Sequence, residues 1–340
     1  MHSLLAESYL HSLDPYAVDF GGGIGLRWYG LAYVIGFLIA WWMTWSMARS
    51  RRCLVEPHSV SDMMIYIILG VLLGGRLGYA LFYDPHLFIG FSSSFPFWDL
   101  LAIYKGGMAS HGGMLGVIIA LLIFGMRHRF PPLHPVDIGA FIAPPGLFLG
   151  RIANFVNGEL WGKQWSGEGE APWWTVKYPT EIYLRPDEID LSPLRSSLGG
   201  DASFYDRVVE EAYAGNQQVI DVLEPQLTSY LPSQIFQAMT DGPILLLLLA
   251  LVWLKPRKPG IIAGSFLAFY GAMRIFTEVF RQPDEGVSLF MGLSRGQQLS
   301  IIQVLAGLFL ILLCSIGRGT PVGGLAGPGR SDQAPPPATV

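Results

Sequence analysis

Long apolar runs separated by short polar connections set the layout of this chain. Taking about 20 apolar residues as one membrane crossing, seven candidate helices stand at 26–48, 61–83, 108–126, 135–156, 236–254, 261–280 and 299–316. Small residues recur inside them at four-residue spacing: Gly70, Gly74 and Gly78, then Gly112 and Gly116, then Gly146 and Gly150. In lipid that spacing lets helix backbones approach closely, so it predicts helix packing. Pro144 and Pro145 remove two backbone donors from the fourth run, and a break or kink is expected there.

The polar connections give direction. Arg49, Arg51 and Arg52 follow the first run, Arg127 and Arg129 the third, Lys255, Arg257 and Lys258 the fifth, and Arg318 and Arg330 lie in the tail. These alternate connections are the basic ones, which places them in the cytoplasm and the N-terminus outside. The fold class expected is therefore an all-α polytopic membrane protein of seven transmembrane helices, with the N-terminus extracytoplasmic (periplasmic) and the C-terminus cytoplasmic. Residues 1–317 are expected to form a single integral membrane domain. Residues 162–231 form a long extracytoplasmic insertion between spans four and five, and 318–340, rich in Gly, Pro and Ala, is expected to be a disordered cytoplasmic tail.

The insertion is acidic: Glu168, Glu170, Glu181, Asp187, Glu188 and their followers outnumber Lys163, Lys177, Arg185, Arg195 and Arg207. A connection of that length either folds or remains a solvated decoration. Within it, 201–222 has the pattern of a short amphipathic helix with Phe204, Val208, Val209 and Tyr213 on one side.

Composition narrows the class further. Of 340 residues, 51% are hydrophobic and 14% charged, with a positive mean hydropathy, the balance of a polytopic membrane protein. The formal net charge of −4 comes with no basic cluster of the kind nucleic-acid binding needs. Two cysteines, Cys53 and Cys314, offer neither a disulfide framework nor a thiolate metal site. The first two dozen residues lack the basic and apolar regions of a cleavable signal peptide. No metal or other cofactor is expected.

The candidate chemistry lies in polar groups placed where they are costly. The stretch Gly150 to Gly162 brings Arg151, Asn154, Asn157 and Glu159 to the end of the fourth span. In the sixth, Tyr270, Arg274, Glu278 and Arg281 follow at intervals of 4, 4 and 3 residues, within roughly an 80° arc of one helix face. That face turns toward the bundle interior or a watery cavity; alternatively the Arg274–Glu278 pair only orients the helix. The topology adds Tyr29, Arg76 and His111 on the outer side. Clustered arginines at this depth need an anion, and guanidinium is suited to the forked hydrogen bonding of phosphate. In a membrane the abundant phosphate is a lipid head group. The reading is an anionic phospholipid held among Arg76, Arg151 and Arg274. His111 stands between small residues and carries the side chain that titrates nearest neutrality, a candidate general base; a buried hydrogen-bonding role is the alternative.

These residues lie in blocks that resemble the prolipoprotein diacylglyceryl transferase family. The blocks are Gly150–Gly162 itself, Arg27-Trp28-Tyr29-Gly30-Leu31, Gly74-Gly75-Arg76-Leu77-Gly78-Tyr79, Gly106 to Gly113, Tyr270 to Arg274, Glu278 to Asp284, and Ser294 to Ser300. The resemblance implies transfer of the diacylglyceryl group of phosphatidylglycerol to the thiol of the lipobox cysteine in the signal peptide region of a preprolipoprotein. The products are a thioether and glycerol phosphate, and the step is the first of bacterial lipoprotein maturation. It implies a multi-pass enzyme of the bacterial cytoplasmic (inner) membrane, among membrane lipids, with its active site facing the outer leaflet. Carried over by motif, His111, Arg151, Asn154, Tyr270 and Arg274 are expected to be catalytic, with Tyr29, Glu159 and Glu278 supporting; together with Arg76 of the arginine cluster and Arg281 of the charged stripe, these last three are expected to bind substrate. One departure stands out: where the family usually has His-Pro-Ser-Gln-x-Tyr-Glu, this chain reads Leu231-Pro232-Ser233-Gln234-Ile235-Phe236-Gln237, and no catalysis is expected there. From another class, a transporter of lipid or small anions is the alternative; against it stand the lack of an internal repeat and the gathering of polar groups toward one face instead of the midplane.

Overall fold

In the computed structural model, residues 8–19, 25–93, 95–282 and 293–326 are described. Helices dominate: α1 (Trp28–Arg49), α2 (Val60–Phe82), α3 (Ser110–Arg127), α4 (Leu133–Val156), α5 (Arg195–Leu198), α6 (Phe204–Tyr213), α7 (Gln217–Leu223), α8 (Ser233–Met239), α9 (Leu245–Val252), α10 (Ile261–Glu278) and α11 (Arg295–Ile316). Strands are short: β1 (Tyr9–Leu10) pairs in parallel with β4 (Val176–Lys177), and β2 (Tyr16–Asp19) pairs antiparallel with β3 (Gly25–Arg27).

Six helical segments are long and apolar enough to cross a membrane: Trp28–Arg49, Pro57–Phe82, Ser110–Arg127, Leu133–Val156, Ser233–Val252 and Arg295–Ile316. The remaining predicted span is a helix, α10, but it falls outside this set because the polar side chains of its last two turns dilute its hydropathy. The chain is thus a polytopic membrane protein, mostly helical.

By its packing the chain divides into two compact units: residues 1–36, 145–244 and 270–302 form the first, and 37–144, 245–269 and 303–340 the second.

In the second unit, the glycine spacing read from the sequence is the α2–α3 contact. A Cβ on Gly70 would lie 2.8 Å from the Gly116 carbonyl oxygen, and one on Gly78 would lie 2.8 Å from the Cα of Gly112. The backbones touch, so any side chain at the seam forces the helices apart. At the start of α10, Asp137 is buried and accepts from the backbone N–H groups of Gly260 (2.7 Å) and Ala263 (2.8 Å). A carboxylate from α4 thereby satisfies donors that a helix N-terminus leaves open. The tail starts as ordered chain, contrary to the expectation from its composition: Val322 and Arg257 exchange backbone hydrogen bonds, and Leu325 N–H donates to Trp253. Gly323 and Gly324 permit this path with φ of 76° and 111°. Backbone pairing to the chain after α9 supplies what the sequence of 318–326 lacks in apolar period. Residues 327–340, including Arg330 and Pro335 to Pro337, lie outside the described residues, as do Pro283 and Asp284.

The first unit contains the acidic insertion, which folds. Ile182, Leu191, Phe204, Val208, Val219 and Leu223 are fully or nearly fully buried in one core. Helix α6 buries Phe204, Val208, Val209 and Ala212, the face its pattern predicts. Glu181 is buried with both carboxylate oxygens occupied, by Arg185 (2.7 Å), Tyr230 (3.0 Å) and the Thr228 N–H (2.8 Å). The acidic surplus therefore surrounds a compact body.

Of the break or kink expected at Pro144-Pro145, the break does not occur: helical structure continues through both prolines. The irregularity falls in the fifth span instead, where α8 passes into a π-helical stretch, Thr240–Ile244, containing Pro243. There Gly242 packs on α4: a Cβ on it would lie 2.6 Å from Phe148 Cβ.

Candidate functional site

Within the first unit, α4, the π-helical stretch and α10 bring four ionisable side chains into one buried group. Arg151 donates from Nε to Oδ2 of Asp241 at 3.1 Å, and Asp241 is completely buried. Arg151 also engages the hydroxyl of Tyr270. One turn along α10 from Tyr270, Arg274 donates from Nη1 to Gln237 Oε1 (2.9 Å), and its Nη2 lies 3.2 Å from Glu278 Oε2. The Arg274 and Glu278 side chains are 14% and 8% exposed, and the two guanidinium groups are close enough to repel each other. Each arginine thus has one carboxylate partner and one polar neutral partner. Removing either carboxylate would strand a buried cation, at a cost of about 3–5 kcal/mol.

Further contacts hold this group in place. Glu278 Oε1 accepts from Ser294 Oγ (3.1 Å), and a Cβ on Gly296 would lie 2.6 Å from that same oxygen. Ser294 and Gln297 form a capping box at the start of α11, with Ser294 Oγ accepting from Gln297 N–H and Gln297 Oε1 accepting from Ser294 N–H. The Ser294–Ser300 block therefore serves Glu278. Arg281 lies beyond the end of α10, on chain that pairs with Gly162, so the fourth member of the predicted stripe is not on the helix face. Gly162 is squeezed there: a Cβ would lie 2.7 Å from the Phe280 carbonyl oxygen and press on that of Leu231.

Asn154 is buried, and among the described residues its carboxamide makes no hydrogen bond. A Cβ on Gly146 or Gly150 would meet nothing within 4 Å, so the small-residue spacing of α4 leaves space at Gly150 instead of making the contact seen between α2 and α3. Tyr29 stands within electrostatic reach of Arg151 and Glu159. Glu159 is exposed and accepts from Asn157 (3.3 Å), while its backbone carbonyl accepts from Gln234 (2.7 Å). Below it, the left-handed Gly158 (φ 62°) lies over His11, whose Nε2 donates to the Phe155 carbonyl at 2.7 Å and whose Nδ1 faces the Tyr213 hydroxyl at 3.2 Å. Burial pushes the His11 imidazole below its ordinary pKa and the Tyr213 hydroxyl up to about 12.

The second unit holds the other two predicted residues. Arg76 is buried, and its guanidinium donates to the carbonyl oxygens of Leu100 (2.8 Å), Gly106 (2.7 Å), Gly107 (3.1 Å) and Asp99 (2.6 Å). The sequence suggested a phosphate holder; in the structure Arg76 clasps the loop before α3, with four of its five N–H groups on carbonyls. A cleft of about 310 Å3 opens beside it, lined by Tyr79, Asp84, Asp99 and Lys105. His111 lies in the first turn of α3 with its side chain exposed.

Two participants escaped the sequence reading. Asp241 carried a usable signal: a lone carboxylate inside an apolar span, followed by Gly-Pro, is a functional-site candidate. Gln237 carried none, since its partner is on another helix; the stretch dismissed as unreactive supplies a ligand to Arg274.

The fold and site define a polytopic membrane protein with a buried, charge-balanced polar site, two arginines paired with two carboxylates, in apolar surroundings. The chain belongs to the prolipoprotein diacylglyceryl transferase family, whose sequence model matches residues 15–313. It is 37% identical over 331 residues to a phosphatidylglycerol–prolipoprotein diacylglyceryl transferase of Bdellovibrio bacteriovorus, covering 89% of this chain and 93% of the relative. The Rhodospirillum centenum enzyme of the same name is 37% identical, covering 93% and 97%, and that of Photorhabdus laumondii 34% identical, covering 94% and 99%.

Proposed function

We propose that this protein transfers the diacylglyceryl group of phosphatidylglycerol to the lipobox cysteine of preprolipoproteins, in the bacterial inner membrane. In this reading the chain crosses seven times, with the basic connections in the cytoplasm by the positive-inside rule, the N-terminus outside and the site at the outer leaflet. The observation that carries the reading is the buried pair Arg151 and Arg274, each fixed by partners on a neighbouring segment, in a chain of this family.

The lipid phosphate lies on Arg151 and Arg274, and the unpartnered carboxamide of Asn154 donates a further hydrogen bond. The cysteine sulfur attacks the glyceryl carbon that bears the phosphate ester. A carbon–sulfur bond forms, the carbon–oxygen bond breaks, and glycerol phosphate leaves with the electron pair. Charge grows on the departing phosphate, so preorganised donors in a dry site favour the transition state over the ground state. The thiol proton goes to a base, for which His111 is the candidate. Tyr270 orients Arg151, and Tyr29, Glu159 and Arg281 border the head group. Glu278 acts through Arg274.

Detergent-purified protein is given phosphatidylglycerol and a lipobox peptide, and the peptide mass is measured. A diacylglyceryl gain that requires the cysteine is the expected result. Lipid movement across vesicles without peptide modification would replace the transferase reading with transport.

A further inference from the structure

Asp241 is fully buried, and its two oxygens are treated differently. Oδ2 accepts from Arg151 Nε, whereas Oδ1 has no hydrogen-bond partner. The hydroxyl of the adjacent Thr240, which lies within electrostatic reach of Asp241, points to the backbone carbonyls of Phe236 (3.1 Å) and Gln237 (3.2 Å). A buried carboxylate oxygen left without a donor is costly and calls for one. It also sits on a π-helical stretch, a local irregularity that recurs at functional sites. A donor reaching that oxygen sits on the same carboxylate that grips Arg151, and so beside any anion that arginine would hold. A bare phosphate diester has no proton to give; a hydroxyl a few bonds from the phosphorus does.

We propose that Asp241 Oδ1 is the acceptor for a hydroxyl of the lipid's polyol head group, which makes Asp241 the residue that selects a glycerol head over heads without a hydroxyl. The inference rests on the reading of Arg151 and Arg274 as the phosphate holders. One carboxylate then sets both halves of recognition: it aims the guanidinium at the phosphate and takes the hydroxyl attached to it.

The probes are short-chain phosphatidylglycerol and short-chain phosphatidylpropanol, which share phosphate and diacylglycerol but differ in the head-group hydroxyls. Affinity for each is read from thermal stabilisation of the detergent-purified full chain, and transfer to a lipobox peptide is read in parallel. A hydrogen bond to a charged acceptor is worth about tenfold or more, so the wild type is expected to prefer phosphatidylglycerol by about tenfold. Asp241→Asn, a weaker acceptor, lowers that ratio to roughly threefold, and Asp241→Ala brings it to parity. Because the readout is a ratio, any general weakening caused by loosening Arg151 cancels, and the conservative variant serves if the alanine variant does not fold. Equal affinity of the wild type for both lipids, or an unchanged ratio in Asp241→Asn and Asp241→Ala, overturns the assignment. A preference that depends on Asp241 without any peptide modification supports this inference and counts against the transferase reading.

Discussion

At the scale of residues, the arginines separate into two kinds by what already occupies them. Arg151 and Arg274 each meet one carboxylate and one neutral partner, while four carbonyls hold Arg76. Arg274→Ala is therefore expected to lower kcat/KM for transfer by about 100-fold or more, the usual result of losing a preorganised donor. Arg274→Lys should recover little, since an ammonium cannot serve Gln237, Glu278 and a phosphate in one plane. Near-normal transfer by Arg274→Ala would remove it from the site. Arg76→Ala should instead lower thermal stability by several degrees through the freed carbonyls of the loop, with surviving folded protein keeping its lipid affinity. A specific loss of lipid binding with unchanged stability would restore Arg76 to the phosphate. Sequence inspection found all three arginines, but carbonyl partners leave no mark in side-chain identity, so it could not sort them.

At the scale of elements, the glycine seam between α2 and α3 was legible because small residues at four-residue spacing in an apolar run commonly mark close helix packing. Gly112→Leu is expected to abolish folded protein, because its Cβ already falls on the Gly74 carbonyl and Gly78 Cα. Gly150→Ala, whose Cβ meets open space, should fold normally and act on lipid affinity alone. Detergent-solubilised yield and melting temperature separate the two. The same spacing thus has two meanings, and only the neighbouring helix decides which. Proline alone did not locate the irregularity: helical structure continues through Pro144-Pro145, whereas at Pro243 it passes into the π-helical stretch that contains Asp241.

At the scale of the whole molecule, the acidic insertion is tied to the end of the signature stretch through His11, buried between the Phe155 carbonyl and Tyr213. Burial holds this imidazole neutral, with a folded-state pKa below the unfolded one. The unfolded chain therefore binds the proton first: the stability is intact above about pH 6.5, where the free side chain is neutral, and declines as the pH falls below it. Protease resistance of the insertion in the intact protein, followed from pH 7.5 down to 5, should drop across that window, and His11→Gln should flatten the drop. A loss that begins only in the carboxylate range would assign it to Asp190 and Asp201, whose pKa values are lowered by hydrogen bonds, from Ser192 and Arg207 respectively.

The sequence by itself determined the membrane class, the glycine seam, the amphipathic α6 and the polar groups worth suspecting, because each is a local pattern: hydropathy, spacing, or a charge placed where lipid makes it costly. Tertiary structure alone decided that α4 is not broken at its prolines, that the acidic insertion has a core, that 318–326 is ordered, and that Gln237 and Asp241 partner the arginine pair while Arg76 clasps the loop before α3. Those outcomes depend on which distant donors and acceptors meet, and partners tens of residues apart, such as Arg151 with Asp241 or Arg274 with Gln237, are fixed by packing and not by the local pattern of either stretch.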